Sequence, residues 1–86
     1  MTIAYGKSFK KQYGKLPSKL QLKFDERVKL FAVNSYDPIL NNHALTGKYF
    51  GYNSINITGD LRALYYKEAE TIVIFGFIGT HSQLYR

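Results

Sequence analysis

Residues 52–78, YNSINITGDLRALYYKEAETIVIFGFI, decide the fold. Tyr52 to Ile57 alternates in character, with Ile55 and Ile57 on one face and Ser54 and Asn56 on the other, as a half-buried strand requires. Thr58-Gly59-Asp60 is a turn signal, and Leu61 to Tyr66 follows as a second strand. Lys67 to Glu70 turns the chain back into the β-branched and aromatic run Thr71 to Ile78. Strands joined by connections this short must run antiparallel, so the segment predicts a three-stranded meander.

Upstream of the meander the period changes. Ile3-Ala4-Tyr5 reads as a short strand closed by Gly6. Ser8 can cap a helix whose apolar residues Phe9, Tyr13 and Leu16 fall at i, i+4 and i+7. Pro17 breaks that helix. Ser18 then starts another, with Gln21 in capping-box position and an apolar stripe of Leu20, Phe24, Val28 and Phe31. Asn34 to Lys48 reads as a long connection containing Pro38 and Gly47. Two amphipathic helices cannot bury their stripes alone, and packing on one face of the sheet completes a two-layer core. The expected fold class is therefore α+β, with two N-terminal helices on a mainly antiparallel four-stranded sheet in the order β-α-α-β-β-β. At 86 residues the chain is expected to form a single domain, 1–86.

Composition excludes several classes. With 45% hydrophobic residues and 16% aromatics the chain is not disordered. No cysteine is present, so there is no disulfide framework and no thiolate metal site. The longest apolar run, Ile72 to Ile78, is interrupted by Gly76 and is too short to span a bilayer. Met1-Thr2-Ile3-Ala4-Tyr5 lacks the basic and apolar regions of a signal peptide, and the expected location is cytoplasmic, with no membrane partner. The formal charge of +6 is uneven. Residues 1–31 carry eight basic groups against Asp25 and Glu26, whereas residues 32–86 carry four of each sign. Such a field attracts polyanions, nucleic acid or an acidic protein, and speeds encounter with them.

The chain holds two histidines, His43 in the segment Asn41 to Gly47 and His81 in the segment Gly79 to Tyr85, each in polar sequence flanking the strand-rich region. Asp60 lies between them at the turn, followed by Arg62. Histidine titrates near neutral pH, so one imidazole can accept a proton while the other donates one. With a carboxylate and a guanidinium beside them, two imidazoles suffice to break a phosphodiester, with no metal or other cofactor required.

These segments carry a resemblance. Ser8-Phe9-Lys10-Lys11, Tyr36-Asp37-Pro38-Ile39-Leu40-Asn41-Asn42-His43, Gly47-Lys48-Tyr49, Ile57 to Ala63 and Ile78-Gly79-Thr80-His81-Ser82 with Leu84 and Tyr85 resemble the RelE/ParE toxin superfamily, in its YafQ-like branch. The resemblance spans nearly the whole chain. It implies a RelE-like fold and the toxin of a type II toxin–antitoxin system, an endoribonuclease that cuts mRNA on the translating ribosome. It also implies a cognate antitoxin that silences the toxin. By position, His43, Asp60 and His81 match catalytic residues of the pattern, Tyr85 matches a C-terminal aromatic and Arg62 a strand arginine. Asn56, Leu61 and Phe77 stand where YafQ-like toxins carry a histidine, a tryptophan and an arginine.

The chemistry assigns roles. RNA carries its own nucleophile, the 2′-hydroxyl, whose attack on phosphorus leaves a cyclic phosphate and a free 5′-hydroxyl. A base must take the 2′ proton, an acid must protonate the leaving oxygen, and cations must stabilise the phosphoryl charge. His43 is assigned as base, His81 as acid and Asp60 as the group that tunes an imidazole. Lys48 and Arg62 are assigned to the phosphate, with Tyr85 stacking on a base. Two alternatives share the fold: a ParE-like toxin that inhibits DNA gyrase, and a non-catalytic nucleic-acid-binding domain, which Asn56 and Phe77 favour. The segment after Ile78 is so short that it is expected to be mobile until an antitoxin binds.

Overall fold

The structure, a computed structural model, describes residues 1–86. In chain order its elements are β1 (Thr2–Tyr5), α1 (Lys7–Gly14), α2 (Ser18–Val33), a 3-10 turn (Pro38–Leu40), β2 (His43–Ala44), a second 3-10 turn (Gly47–Tyr49), β3 (Asn53–Asn56), β4 (Leu61–Ala69), β5 (Ile72–Thr80) and α3 (His81–Leu84). The sheet order is β1-β5-β4-β3-β2, with β1 parallel to β5 and every other pair antiparallel. The meander and the two helices stand as the sequence predicts, except that β4 runs on to Ala69, so that the turn expected at Lys67 to Glu70 narrows to Glu70 and Thr71. The expected four-stranded sheet is corrected to five strands by β2, where His43 faces Ser54 and Ala44 faces Asn53. Two residues cannot express a period, so this strand is invisible before its partner is known.

The helix starts also differ from expectation. Gly6, not Ser8, occupies the N-cap of α1, and neither α1 nor α2 has a side-chain cap. Gln21 forms no capping box; its Nε2 donates to the Tyr13 carbonyl at 2.9 Å and ties the start of α2 to the end of α1.

The register of β5 governs both faces of the sheet. Leu64 in β4 faces Phe77, but the next residue, Tyr65, faces Phe75, which leaves Gly76 as an extra residue in β5. A bulge of this kind resets the alternation of its strand. Without it Phe75 and Ile78 would lie on opposite faces, because they are an odd number of residues apart. With it Val73, Phe75 and Ile78 all join the core beneath the helices, together with Leu61, Ala63 and Tyr65 of β4. Phe75 is fully buried, with the rings of Tyr5, Phe9, Phe24, Phe31 and Tyr65 centred 5.5–6.0 Å from its own. The opposite face carries a smaller cluster of Tyr49, Leu64 and Leu84, flanked by Leu45, Tyr52 and Phe77.

Gly76 is required for space rather than for backbone freedom. A Cβ there would come within 2.9 Å of Tyr52 Cε2 and 3.2 Å of its hydroxyl. The Tyr52 ring lies over the bulge and packs edge-on against Tyr66, at 5.3 Å between centroids. Burial raises the Tyr52 pKa above that of a free phenol, and the neighbouring Tyr66 and Tyr49 add to the rise. Gly76→Ala is expected to destabilise the protein by about 1–3 kcal/mol through overpacking. Truncating the ring in a Tyr52→Leu background should reduce that loss, and urea unfolding of the four variants measures the coupling. Equal losses in both backgrounds would show that the ring does not impose the constraint.

Candidate functional site

On the sheet face away from α1 and α2 lies a cleft of about 180 Å³, lined by His43, Leu45, Ser54, Arg62, Leu64, His81, Leu84 and Tyr85. It brings together four of the six residues expected from the sequence: His43, Arg62, His81 and Tyr85.

His43 enters from β2. Asn41 adopts the left-handed conformation, with φ at 46°, and ends the 3-10 turn Pro38–Leu40. That bend sets the Asn41 carbonyl 2.8 Å from His43 Nδ1. A carbonyl only accepts, so Nδ1 must carry the proton, which leaves Nε2 as the ring's free basic nitrogen. Asn42 anchors the same loop. Its Nδ2 donates to the Ser35 carbonyl at 2.9 Å, its amide meets the Tyr65 hydroxyl at 2.7 and 3.0 Å, and Asn53 Nδ2 donates to its Oδ1 at 3.2 Å. Burial raises the Tyr65 pKa, opposed in part by the bond from Asn42, so the hydroxyl keeps its proton at neutral pH.

Arg62 rises from β4 opposite Asn56 on one side and Gly79 on the other. Gly79 offers no side chain to cover it. Arg62 Nη1 donates to the carbonyls of Thr58 at 3.0 Å and Leu61 at 3.4 Å, which steadies the guanidinium and leaves Nε and Nη2 uncommitted. Of the three departures from the YafQ-like pattern, Leu61 is in the main core and Phe77 in the second cluster, its ring 5.3 Å from that of Tyr49. Asn56 faces Arg62 across the strands, and its buried Oδ1 has no partner.

His81 opens α3, and its ring stacks on Tyr85 at 4.8 Å and 28°. Thr80 and Gln83 cap this turn reciprocally, Thr80 Oγ1 accepting from the Gln83 amide and Gln83 Oε1 from the Thr80 amide. Leu84 is buried, and its carbonyl accepts two hydrogen bonds, from Tyr49 Oη at 2.7 Å and from Lys48 Nζ at 3.0 Å. The Tyr49 ring meets Tyr85 edge-on at 5.2 Å. The C-terminal segment expected to be mobile is thus pinned by a cap at one end and a pair of donors at the other. Its anchors lie 35 and 36 residues away in the chain, out of reach of local sequence patterns.

Lys48 and Asp60 are not part of the cleft lining. The Lys48 ammonium is engaged with the Leu84 carbonyl, and Asp60 stands exposed in the β3–β4 turn, its amide donating to Thr58 Oγ1 at 3.3 Å. Neither imidazole is hydrogen-bonded to the Asp60 carboxylate. Sequence reasoning missed Asn42, Tyr49 and Ser54, and only the Asn41-Asn42 pair, a turn signal, pointed toward any of them. No three carboxylate or imidazole side chains gather into a group that could hold a metal ion. No helix is long and apolar enough to cross a membrane.

A family model described as the bacterial toxin of type II toxin–antitoxin systems, YafQ, matches residues 1–86. The chain belongs to the YafQ family. It is thereby the toxin of a type II toxin–antitoxin system. A search of curated protein sequences finds no match. Among solved structures, YafQ from Escherichia coli superposes with a TM-score of 0.80 at 22% identity, covering 98% of this chain and 97% of that one. A YoeB/ParE toxin from Agrobacterium tumefaciens gives 0.77 at 16% identity, covering 94% and 99%. The E. coli DinJ–YafQ toxin–antitoxin complex gives 0.71 at 24% identity, covering 98% and 96%. At these identities the likeness is one of fold.

The pinning of α3 is testable apart from any activity. Tyr49→Phe removes one buried donor from the Leu84 carbonyl and keeps the ring. Loss of such a bond is worth about 1–1.5 kcal/mol, so the Tyr85 amide, which donates to the His81 carbonyl, should exchange with solvent roughly tenfold faster. Unchanged exchange at Tyr85 would mean that the cap alone holds the turn.

Proposed function

We propose that this toxin is an endoribonuclease that cleaves mRNA on the ribosome by 2′-hydroxyl attack, without a metal ion. The observation that carries this reading is the 2.8 Å contact of His43 Nδ1 with the Asn41 carbonyl, which leaves Nε2 to act as a base in the same cleft as His81 and the free edge of Arg62. In this reading His43 Nε2 takes the proton from the 2′-hydroxyl as its oxygen attacks the adjacent phosphorus. His81, protonated, gives its proton to the departing 5′ oxygen. Arg62 offers Nε and Nη2 to the phosphoryl oxygens, where charge accumulates in the transition state. Tyr85, 41% exposed beside His81, offers a face for an unpaired base. Lys48 acts at one remove, by holding the turn that carries His81. Asp60 contributes charge near the turn and no contact to either ring.

The lysine-rich helices form the layer on the other side of the sheet, and Lys10, Lys11, Lys15 and Lys19 are exposed there. They suit contact with ribosomal RNA, while the cleft faces the message. The partner that silences the toxin is proposed to be an acidic antitoxin drawn to the same charge. The DinJ–YafQ toxin–antitoxin complex and the YoeB–YefM complex of Staphylococcus aureus, whose toxins share this fold, support a protein partner, and its acidity is inferred from the charge of this chain.

Purified toxin added to ribosomes translating a defined message is expected to produce cuts with 5′-hydroxyl ends. His43→Ala and His81→Ala should each slow cutting by roughly 10²–10⁴-fold while melting like the parent protein. Ends bearing 5′-phosphate, or cutting at the parent rate by either variant, would refute the mechanism. No cutting by the parent protein would leave a binding function for the fold.

A further inference from the structure

We propose that Ser54 contacts the substrate, its hydroxyl donating a hydrogen bond to a non-bridging oxygen of the scissile phosphate. The proposal rests on the ribonuclease reading for the identity of that phosphate. Ser54 is only 3% exposed and is the sole polar residue among the buried ones. It sits opposite His43 in β2 and opposite Leu64 in β4, and cross-strand partners project from the same face of a sheet. Its side chain therefore lies beside that of His43, on the floor of the cleft they share with Arg62 and His81. Arg62 is two residues from Leu64 on the same face of β4, one step along the pleat from the His43–Ser54–Leu64 row.

The protein gives the Ser54 hydroxyl no hydrogen-bond partner. The one polar side-chain atom that is both sealed from solvent and unpaired is Asn56 Oδ1, so the Ser54 oxygen opens into the cleft. A small β-branched or apolar residue would suit this strand position better, because a buried hydroxyl without a partner costs stability. Such a cost is expected where a polar group is kept for a ligand. A phosphate held between the basic nitrogen of His43 and the guanidinium of Arg62 lies over Ser54, where a hydroxyl can donate to a phosphoryl oxygen. Ser54 forms no covalent bond in this scheme and loses no proton.

The decisive test uses the phosphate itself. Sulfur in place of a non-bridging oxygen accepts a hydrogen bond weakly. A single-site RNA carrying a phosphorothioate of the reactive configuration should be cleaved about tenfold more slowly than its oxygen counterpart by the parent toxin. Ser54→Ala should cleave the oxygen substrate roughly 10²-fold more slowly than the parent, show no such sulfur effect and melt at the same or a higher temperature. An equal sulfur effect in both proteins, for both diastereomers, would overturn the proposal. So would a lower melting temperature with parent-like cleavage per folded molecule. A 2′-O-methyl dinucleotide, which cannot be cleaved, provides a second arm followed by NMR shifts. The parent should bind it several-fold more tightly than Ser54→Ala, and lose that advantage when the linkage is a phosphorothioate. That pattern without cleavage of ordinary RNA would refute the ribonuclease reading alone, and equal affinities would refute the Ser54 contact.

Discussion

Both faces of the sheet are organised by the extra residue at Gly76. One glycine inserted into β5 changes the phase of that strand, so Val73 and Phe75 before it and Ile78 after it face the same core. The same shift turns Phe77 and Gly79 toward the opposite face, where Phe77 joins the Tyr49–Leu84 cluster and Gly79 leaves room for α3 to fold back. A Cβ at Gly79 would come within 3.2 Å of Gln83 Oε1 and 3.5 Å of Leu84 Cδ2, so the turn carrying His81 rests directly on that bare strand position. The core packing and the placement of the second histidine thus follow from a single register decision.

From that decision the cleft is assembled by contacts far apart in sequence. The segment from Asn41 to Tyr49 performs two tasks. Its first residues orient His43 through the Asn41 carbonyl, and its last two fix the far side of the cleft through the Leu84 carbonyl. The placement of both imidazoles is therefore tied to one short stretch of chain. Such pre-organisation is what acid–base catalysis needs, because the cost of orienting the groups is met in folding and not during the reaction. The aromatic face of Tyr85 shares this support, since it packs on both His81 and Tyr49.

Much of this was legible in the sequence, and the exceptions have physical reasons. The meander, the α2 stripe and the pairing of His43 with His81 and Arg62 follow from periods and residue chemistry, both of which are local signals. The bulge does not, because Ile72 to Ile78 is apolar throughout and an apolar run has no phase to read. β2 is too short to have a period. Lys48 was assigned to phosphate because the reaction needs cations at the phosphoryl oxygens, but its partner is a main-chain carbonyl, which no side-chain pattern announces. The C-terminal tail was expected to move because it is short, yet a reciprocal cap and a buried leucine compensate for its length. Ser54 went unnoticed because an alternating strand needs a polar residue at that position, and burial of that face becomes apparent only when β2, β4 and α3 close over it.

The proposed division of labour has the two imidazoles acting as base and acid across one cleft, with His43 as the base. It is tested most directly by the pH dependence of single-turnover cleavage. The base works only when deprotonated, so it produces the rise in rate with pH. The acid works only when protonated, so it produces the fall at higher pH. The parent toxin is expected to show a bell-shaped profile, His43→Ala to lose the rising limb and His81→Ala to lose the falling limb. Retention of both limbs in either variant, or loss of the same limb in both, would contradict it.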